Sequence, residues 1–191
     1  MANAAGSLTS VRSIVVRPEQ LDLKSADGAL ISELSYDSDP PHFVDTLSAV
    51  LGAPAEVDPD AGGSGVRWAG VRVAWGPGAT GPKHGMKNMV DFDRAIVGDG
   101  VSVVTVQGFK PGDDVSAFAA QRGRTYWTTD SGAGQNLIDA EVGAELGPSP
   151  VAGYLNAHAV AVSDDPAAPG ASDIFAPFNF GVEDGSEADQ S

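Results

Sequence analysis

Three histidines, His42, His84 and His158, are the side chains of this chain best suited to act as a base or a metal ligand near neutral pH. None lies two or four residues from another, so the local spacing that builds a zinc site is missing and no metal is expected. His158 is the most suggestive of the three. In Tyr154-Leu155-Asn156-Ala157-His158-Ala159 the period-two pattern puts Tyr154, Asn156 and His158 on one face of a strand, with Leu155, Ala157 and Ala159 on the other. Such a polar row suits a binding face or a general base, and a solvated sheet face accounts for it at less cost.

Other stretches approach known chemistry and fall short of it. Gly76-Pro77-Gly78-Ala79-Thr80-Gly81 fits the dinucleotide-loop spacing, with Lys83 close by, but Pro77 and Pro82 remove amide donors and a strand-like run follows where a helix N-terminus is needed. Asp58-x-Asp60 with Gly63 opens like a calcium loop, yet its twelfth position is Ala69 rather than a bidentate glutamate, so an acidic turn is the reading. Thr129-Asp130-Ser131-Gly132-Ala133 follows His42 and Asp91 in serine-protease order but lacks the glycine before the Asp and the second glycine after the Ser of such a nucleophile. No cofactor is expected. Trp68 and Trp75, with Tyr126 and Trp127, suit an aromatic platform for sugar or peptide, although such rings more often seal the edge of a core.

Composition narrows the function further. The 191 residues are enough for a substantial core and include no cysteine, which excludes disulfides, thiolate nucleophiles and iron–sulfur clusters. Net charge is −15, and past Arg124 there is no lysine or arginine while 11 acidic residues follow. That field repels nucleic acid and anionic lipid; keeping the protein soluble accounts for it most simply, and calcium or a neutral or basic partner surface would be its natural complement. No apolar run approaches the ~18 residues that cross a bilayer.

The elements that must position these residues are readable in order. Strands are expected over 11–16 and 29–36, with Leu21-Asp22-Leu23 alternating between them. A helix over 39–51 follows: Asp39 as cap, Pro40 and Pro41 in the first turn, an apolar stripe of Phe43, Leu47, Val50 and Leu51, and Gly52 as stop, with His42, Asp45, Thr46 and Ser48 turned away. Residues 66–68 and 71–75 read as a hairpin about Ala69-Gly70, and 89–93 and 101–107 as strands, the latter apolar enough to be central. A second helix is expected over 112–122. In 138–146 a helix competes with a strand, and Gly143 and the strict alternation favour the strand. Strands at 154–162 and 173–175 precede an acidic tail, 183–191, expected to be disordered, as residues 1–10 are expected to be flexible.

Tyr36 and Phe109, 73 residues apart, each introduce an acidic cap, an amphipathic helix and a glycine stop. The expected fold is therefore α+β: residues 11–182 as one domain of two related halves, 11–98 and 99–182, with antiparallel sheet covered on one side by two helices. The segments "RPEQLDL", "LSAVLGAPAEVD", "RWAGVRVAW", "TVQGFKPGDDVSAF", "YLNAHAVAV" and "APFNFGV" resemble uncharacterised exported proteins and lipoproteins of high-G+C Gram-positive bacteria. The resemblance implies a secreted or cell-surface location. The strand, helix and hairpin order is similar to tandem modules of the beta-lactamase-inhibitor-protein type, which implies protein binding. Together these suggest a non-catalytic extracytoplasmic binding module for a protein or cell-envelope component, with a hydrolase using His158 or His42 and nearby carboxylates as the alternative.

Overall fold

The computed structural model describes residues 8–61, 64–76, 86–124, 127–128, 136–149, 154–165, 168 and 170–182; for Trp127, Thr128, Tyr154 and 179–182 it describes the backbone alone. The protein is a mixed α+β fold dominated by strands in two sheets. The first contains β1 (Ser13–Val16), β2 (Gln20–Lys24), β3 (Leu30–Ser35), β8 (Ile96–Val97) and β9 (Val101–Thr105) in the order β3-β2-β1-β9-β8. The second contains β4 (Glu56–Val57), β5 (Gly65–Trp68), β6 (Val71–Trp75), β7 (Asn88–Phe92), β10 (Trp127–Thr128), β11 (Asn136–Glu145), β12 (Tyr154–Asp164) and β13 (Ser172–Val182), ordered β10-β11-β12-β13-β7-β6-β5-β4. Among the described residues two α-helices, α1 (Pro40–Leu51) and α2 (Val115–Gln121), complete it. The strand reading of 138–146 holds.

Two sheets replace the expected one, and the pairing of β1 with β9 is parallel, Ser13 facing Ser102. A pairing between segments so far apart in sequence leaves no local mark, because each strand carries only its own alternation. The last strand also runs well past 173–175. Pro177, which lacks an amide donor, falls between the Phe175–Ala161 and Phe178–Ala159 pairs, where the β12–β13 register shifts. The expected tail and the first seven residues lie outside the described set.

Helix α1 keeps its expected bounds, but not its expected cap. Phe43, Leu47, Val50 and Leu51 are buried, and Thr46 is buried with them. With Pro40 and Pro41 in its first turn, the helix leaves His42 as the first residue with an amide to satisfy. The Asp39 carboxylate makes no cap bond and instead accepts from Lys87 Nζ at 3.1 Å. Asp114 does cap α2, accepting from the Ala117 amide at 2.9 Å.

One apolar core draws on both sheets and both helices. It joins Ile14, Val16, Leu21, Leu23 and Val103 of the first sheet to Val73, Val90, Phe92, Ile138, Val160 and Ile174 of the second, with Phe43 and Leu47 of α1 and Phe118 of α2. Strand β9 alternates: Val101, Val103 and Thr105 are buried, while Ser102 and Val104 are partly exposed. The turn before β9 seats the end of α1. A Cβ on Gly98, whose φ is +49°, would lie 2.6 Å from Leu51 Cα and closer still to its carbonyl oxygen. Gly98→Ala is therefore expected to cost on the order of 1–2 kcal/mol, read as a lower midpoint in urea at unchanged slope.

Candidate functional site

The hairpin β5–β6 presents Val66 and Trp68 opposite Val73 and Val71, so these four share one face, and Trp75 continues it. Helix α1 lies against that face with one tryptophan near each end. Near its C-terminal end Trp68 is half-buried, its indole N–H donating to the Ala53 carbonyl at 3.1 Å, in a hollow of about 330 Å³ lined by Pro54, Glu56, Arg67 and Ala69. Near its N-terminal end Trp75, also half-buried, lines a second hollow of about 320 Å³ with Pro40, Pro41, Val44, Asp45 and Val66. That volume is at the lower end of the ~300–1,000 Å³ typical of ligand pockets, room for one or two side chains.

The Trp75 cleft is held open by polar anchors on the strand next to it. Asn88 pairs with Trp75 across β6–β7. Its side-chain amide donates to the carbonyls of Tyr36 and Ser38, at 2.9 and 2.7 Å, fixing the segment that leads into α1. Lys87 adds ion pairs to Asp39 at 3.1 Å and Asp37 at 3.7 Å, and the bond to Asp39 raises its pKa. Tyr36 is fully buried, its ring tilted 39° to that of Phe43 at 6.1 Å, and its hydroxyl donates to the Arg17 carbonyl. Burial, with Asp22, Glu141 and Glu19 nearby, pushes its phenol well above the usual range. The entry to α1 is thus rigid while the outer side of its first turn faces solvent. Among the described residues the Trp75 indole N–H donates to nothing.

The expected aromatic platform is divided. Along β6, Trp75 lies four residues from Val71, the partner of Trp68, a separation of roughly 13 Å. Trp127 stands on β10 at the opposite edge of the sheet, six strand spacings or on the order of 29 Å from β5. Tyr126 lies outside the described residues.

On β12 the polar face is corrected at His158, which is 5% exposed between two fully buried alanines, Ala157 and Ala159. The strand is covered on both faces there, and the register shift between Leu155 and His158 interrupts its simple alternation. Asn156 is half-buried and donates to the Pro148 carbonyl at 3.4 Å; the Tyr154 side chain is not described. His42 is exposed in the first turn of α1. His84, Ser131 and most of the glycine-rich loop, 77–85, lie outside the described residues.

The structure also gathers a second group of residues that the sequence names only in separate motifs or not at all. Asp91 on β7 faces Arg72 on β6 and Phe175 on β13. Burial, then Asp173 and Asp93, raise its carboxyl to about 7. Among the described residues its Oδ1 has no hydrogen-bond partner. Asp173, raised chiefly by burial, is bonded by the Ser163 hydroxyl. Among the described residues no hydrogen bond or ion pair joins Asp91, on β7, to His42, exposed in the first turn of α1. Arg72 is turned to Asp58, binding Oδ2 through Nε at 2.9 Å and Nη2 at 2.8 Å, while Asp58 Oδ1 accepts from the Asp60 amide. That pairing holds the Asp58 carboxyl below its usual range and commits the first residue of the calcium-like loop to arginine. The alternation in Met89-Val90-Asp91-Phe92-Asp93 was the available signal for the acidic group, since it puts both aspartates on one strand face.

No family model, curated protein or solved structure matches this chain. Among the described residues, no helix is long and apolar enough to cross a membrane.

Proposed function

We propose that this protein is a non-catalytic binding module that takes its partner at the cleft between the first turn of α1 and the β5–β6 hairpin. The observation that carries this reading is Trp75: a half-buried ring whose indole N–H has no partner among the described residues, set beside Pro40, Pro41, Val44 and Val66 on an anchored backbone. A rigid aromatic anchor with one polar handle supplies contact area at low entropic cost. The resemblance to exported proteins and the acidic composition support action outside the cytoplasm, on a protein or cell-envelope component. The order of elements supports two related halves. Each helix follows a strand of the first sheet and precedes four consecutive strands of the second, β4–β7 after α1 and β10–β13 after α2, and the two sets meet where β7 pairs with β13.

Selection of displayed random peptides on the wild-type protein, followed by titration of the enriched peptides against Trp75→Ala and Trp68→Ala, tests the site. Peptides retained by Trp68→Ala and weakened at least about tenfold by Trp75→Ala are expected, the loss usual for an aromatic anchor. Enriched peptides that bind Trp75→Ala undiminished would remove the cleft from recognition. A hydrolase substrate panel run on wild type and His158→Ala tests the competing class: turnover lost in the variant would make the protein an enzyme.

A further inference from the structure

The cleft carries a charge as well as apolar walls. Asp45, exposed on the outer side of α1, lines it beside Trp75, and among the described residues its carboxylate makes no hydrogen bond or ion pair. Among the described residues lining the cleft none is basic. The nearest acidic residues along the chain, Asp37 and Asp39, are treated differently, since both are tied to Lys87. Three features therefore coincide in one hollow: an aromatic ring, a carboxylate with no counter-charge among the described residues, and an apolar wall made by Pro41, Val44 and Val66. A ring attracts a cation through its negative π face, and a carboxylate at the same site adds a direct ion pair. An apolar wall accommodates the methylene stem of a long basic side chain, whose charged end stays at the rim.

Resting on the binding-module reading, we infer that the cleft receives a single cationic side chain, arginine above all, presented by an extended basic peptide segment of the partner. Its stem packs on Pro41, Val44 and Val66, and its charged group lies between Trp75 and Asp45. Arginine is favoured over lysine because its planar, weakly hydrated guanidinium can stack on the indole and bond the carboxylate through two N–H groups at once. The net charge of −15 acts in the same direction at longer range, drawing a basic segment to the surface and repelling an acidic one. Affinity is set at the cleft and encounter rate by the whole surface, so the two separate under salt.

Isothermal titration of a capped peptide of alternating arginine and proline, and of the same peptide with citrulline for arginine, makes the test. Citrulline keeps the shape of arginine and removes its charge. Wild type is expected to bind the arginine peptide and to bind the citrulline peptide at least about tenfold more weakly, with the arginine affinity falling as salt rises from 50 to 300 mM. Asp45→Asn, an exposed change that leaves the apolar walls intact, is expected to erase the difference between the two peptides. Trp75→Ala is expected to abolish binding of both, with its thermal melt recorded to separate lost recognition from lost fold. Arginine-peptide binding unchanged in Asp45→Asn would overturn the assignment as diffuse attraction to an acidic surface, and so would no binding to wild type. The two readings fail in distinguishable ways. Displayed peptides that need Trp75 but contain no basic residue would leave the binding module standing and remove the cation; enriched peptides indifferent to Trp75 would remove both.

Discussion

Asp91→Asn is expected to flatten the pH dependence of stability between about pH 4 and pH 7 and to make the protein more stable than wild type at pH 8. Asp91 has a folded-state pKa of about 7 against an ordinary 3.8, with burial the leading cause and Asp173 and Asp93 behind it. The folded state therefore prefers the protonated form. Below the unfolded pKa both states hold the proton and no penalty exists. As pH rises the unfolded chain ionises first, and the fold loses stability until Asp91 itself ionises near pH 7; above that the penalty is constant at up to ~4 kcal/mol. Arg72, directly across the β6–β7 ladder, offsets only part of this, because its Nε and Nη2 are held by Asp58.

Asparagine carries no charge at any of these pH values, although its amide must still be accommodated, so a net gain of ~2 kcal/mol at pH 8 is expected. Urea midpoints of wild type and variant from pH 4 to 9 give the comparison. The gap should be small or reversed at pH 4, widen through pH 7 and then stay level. Parallel curves would mean that Asp91 is not the buried carboxyl responsible. The position matters for architecture, because β7 and β13 pair through only Ile174–Phe92, Phe175–Asp91 and Ala176–Val90, and the two four-strand runs of the larger sheet meet there.

What the chain reveals before folding follows the range of the interactions involved. Helix α1 was legible because its start, stripe and stop are local: prolines that fit a first turn, Phe43, Leu47, Val50 and Leu51 on one side, and Gly52 with φ +70°. The β5–β6 hairpin and the strand character of 136–145 were legible for the same reason. Asp39 misled because capping depends on which amides are available, and Lys87, 48 residues away, took the carboxylate. The parallel β1–β9 pair, the bulge that accommodates Pro177 and the Asp58–Arg72 pair all depend on partners remote in sequence. The Trp75 cleft is an intermediate case. Val44 is apolar yet lies off the buried stripe, next to two prolines, and this was a visible sign that the outer face of α1 is not simply solvated. Only the hairpin beneath it shows that Val66 and Trp75 complete the hollow. The residues on β12 fared least well, since alternation cannot report whether a strand is covered on one face or on both.

Leu47→Asp is expected to abolish the cooperative fold. Leu47 is fully buried at the centre of α1, with Phe43 one turn before it and Val50 and Leu51 one turn after, all within the core that joins the two sheets. The substitution removes an isobutyl group from a packed site and leaves a carboxyl there with no expected counter-charge. Truncation alone at such a site costs ~2–5 kcal/mol, and burying an unpaired carboxyl, even if it takes up a proton, adds ~1–3 kcal/mol. The sum rivals the ~5–15 kcal/mol by which domains are stable at all. Ala49→Asp, two residues on and exposed on the same helix, separates burial from helix propensity, because it places the same carboxyl in water. Circular-dichroism melts are expected to show Ala49→Asp within a few degrees of wild type and Leu47→Asp without a cooperative transition, or with one at least ~10 °C lower. Exposure of the core in Leu47→Asp should also end binding at the Trp75 cleft, whose helical wall it would release. A Leu47→Asp melt that coincides with wild type would place α1 outside the core and remove the rigid helix on which the cleft depends.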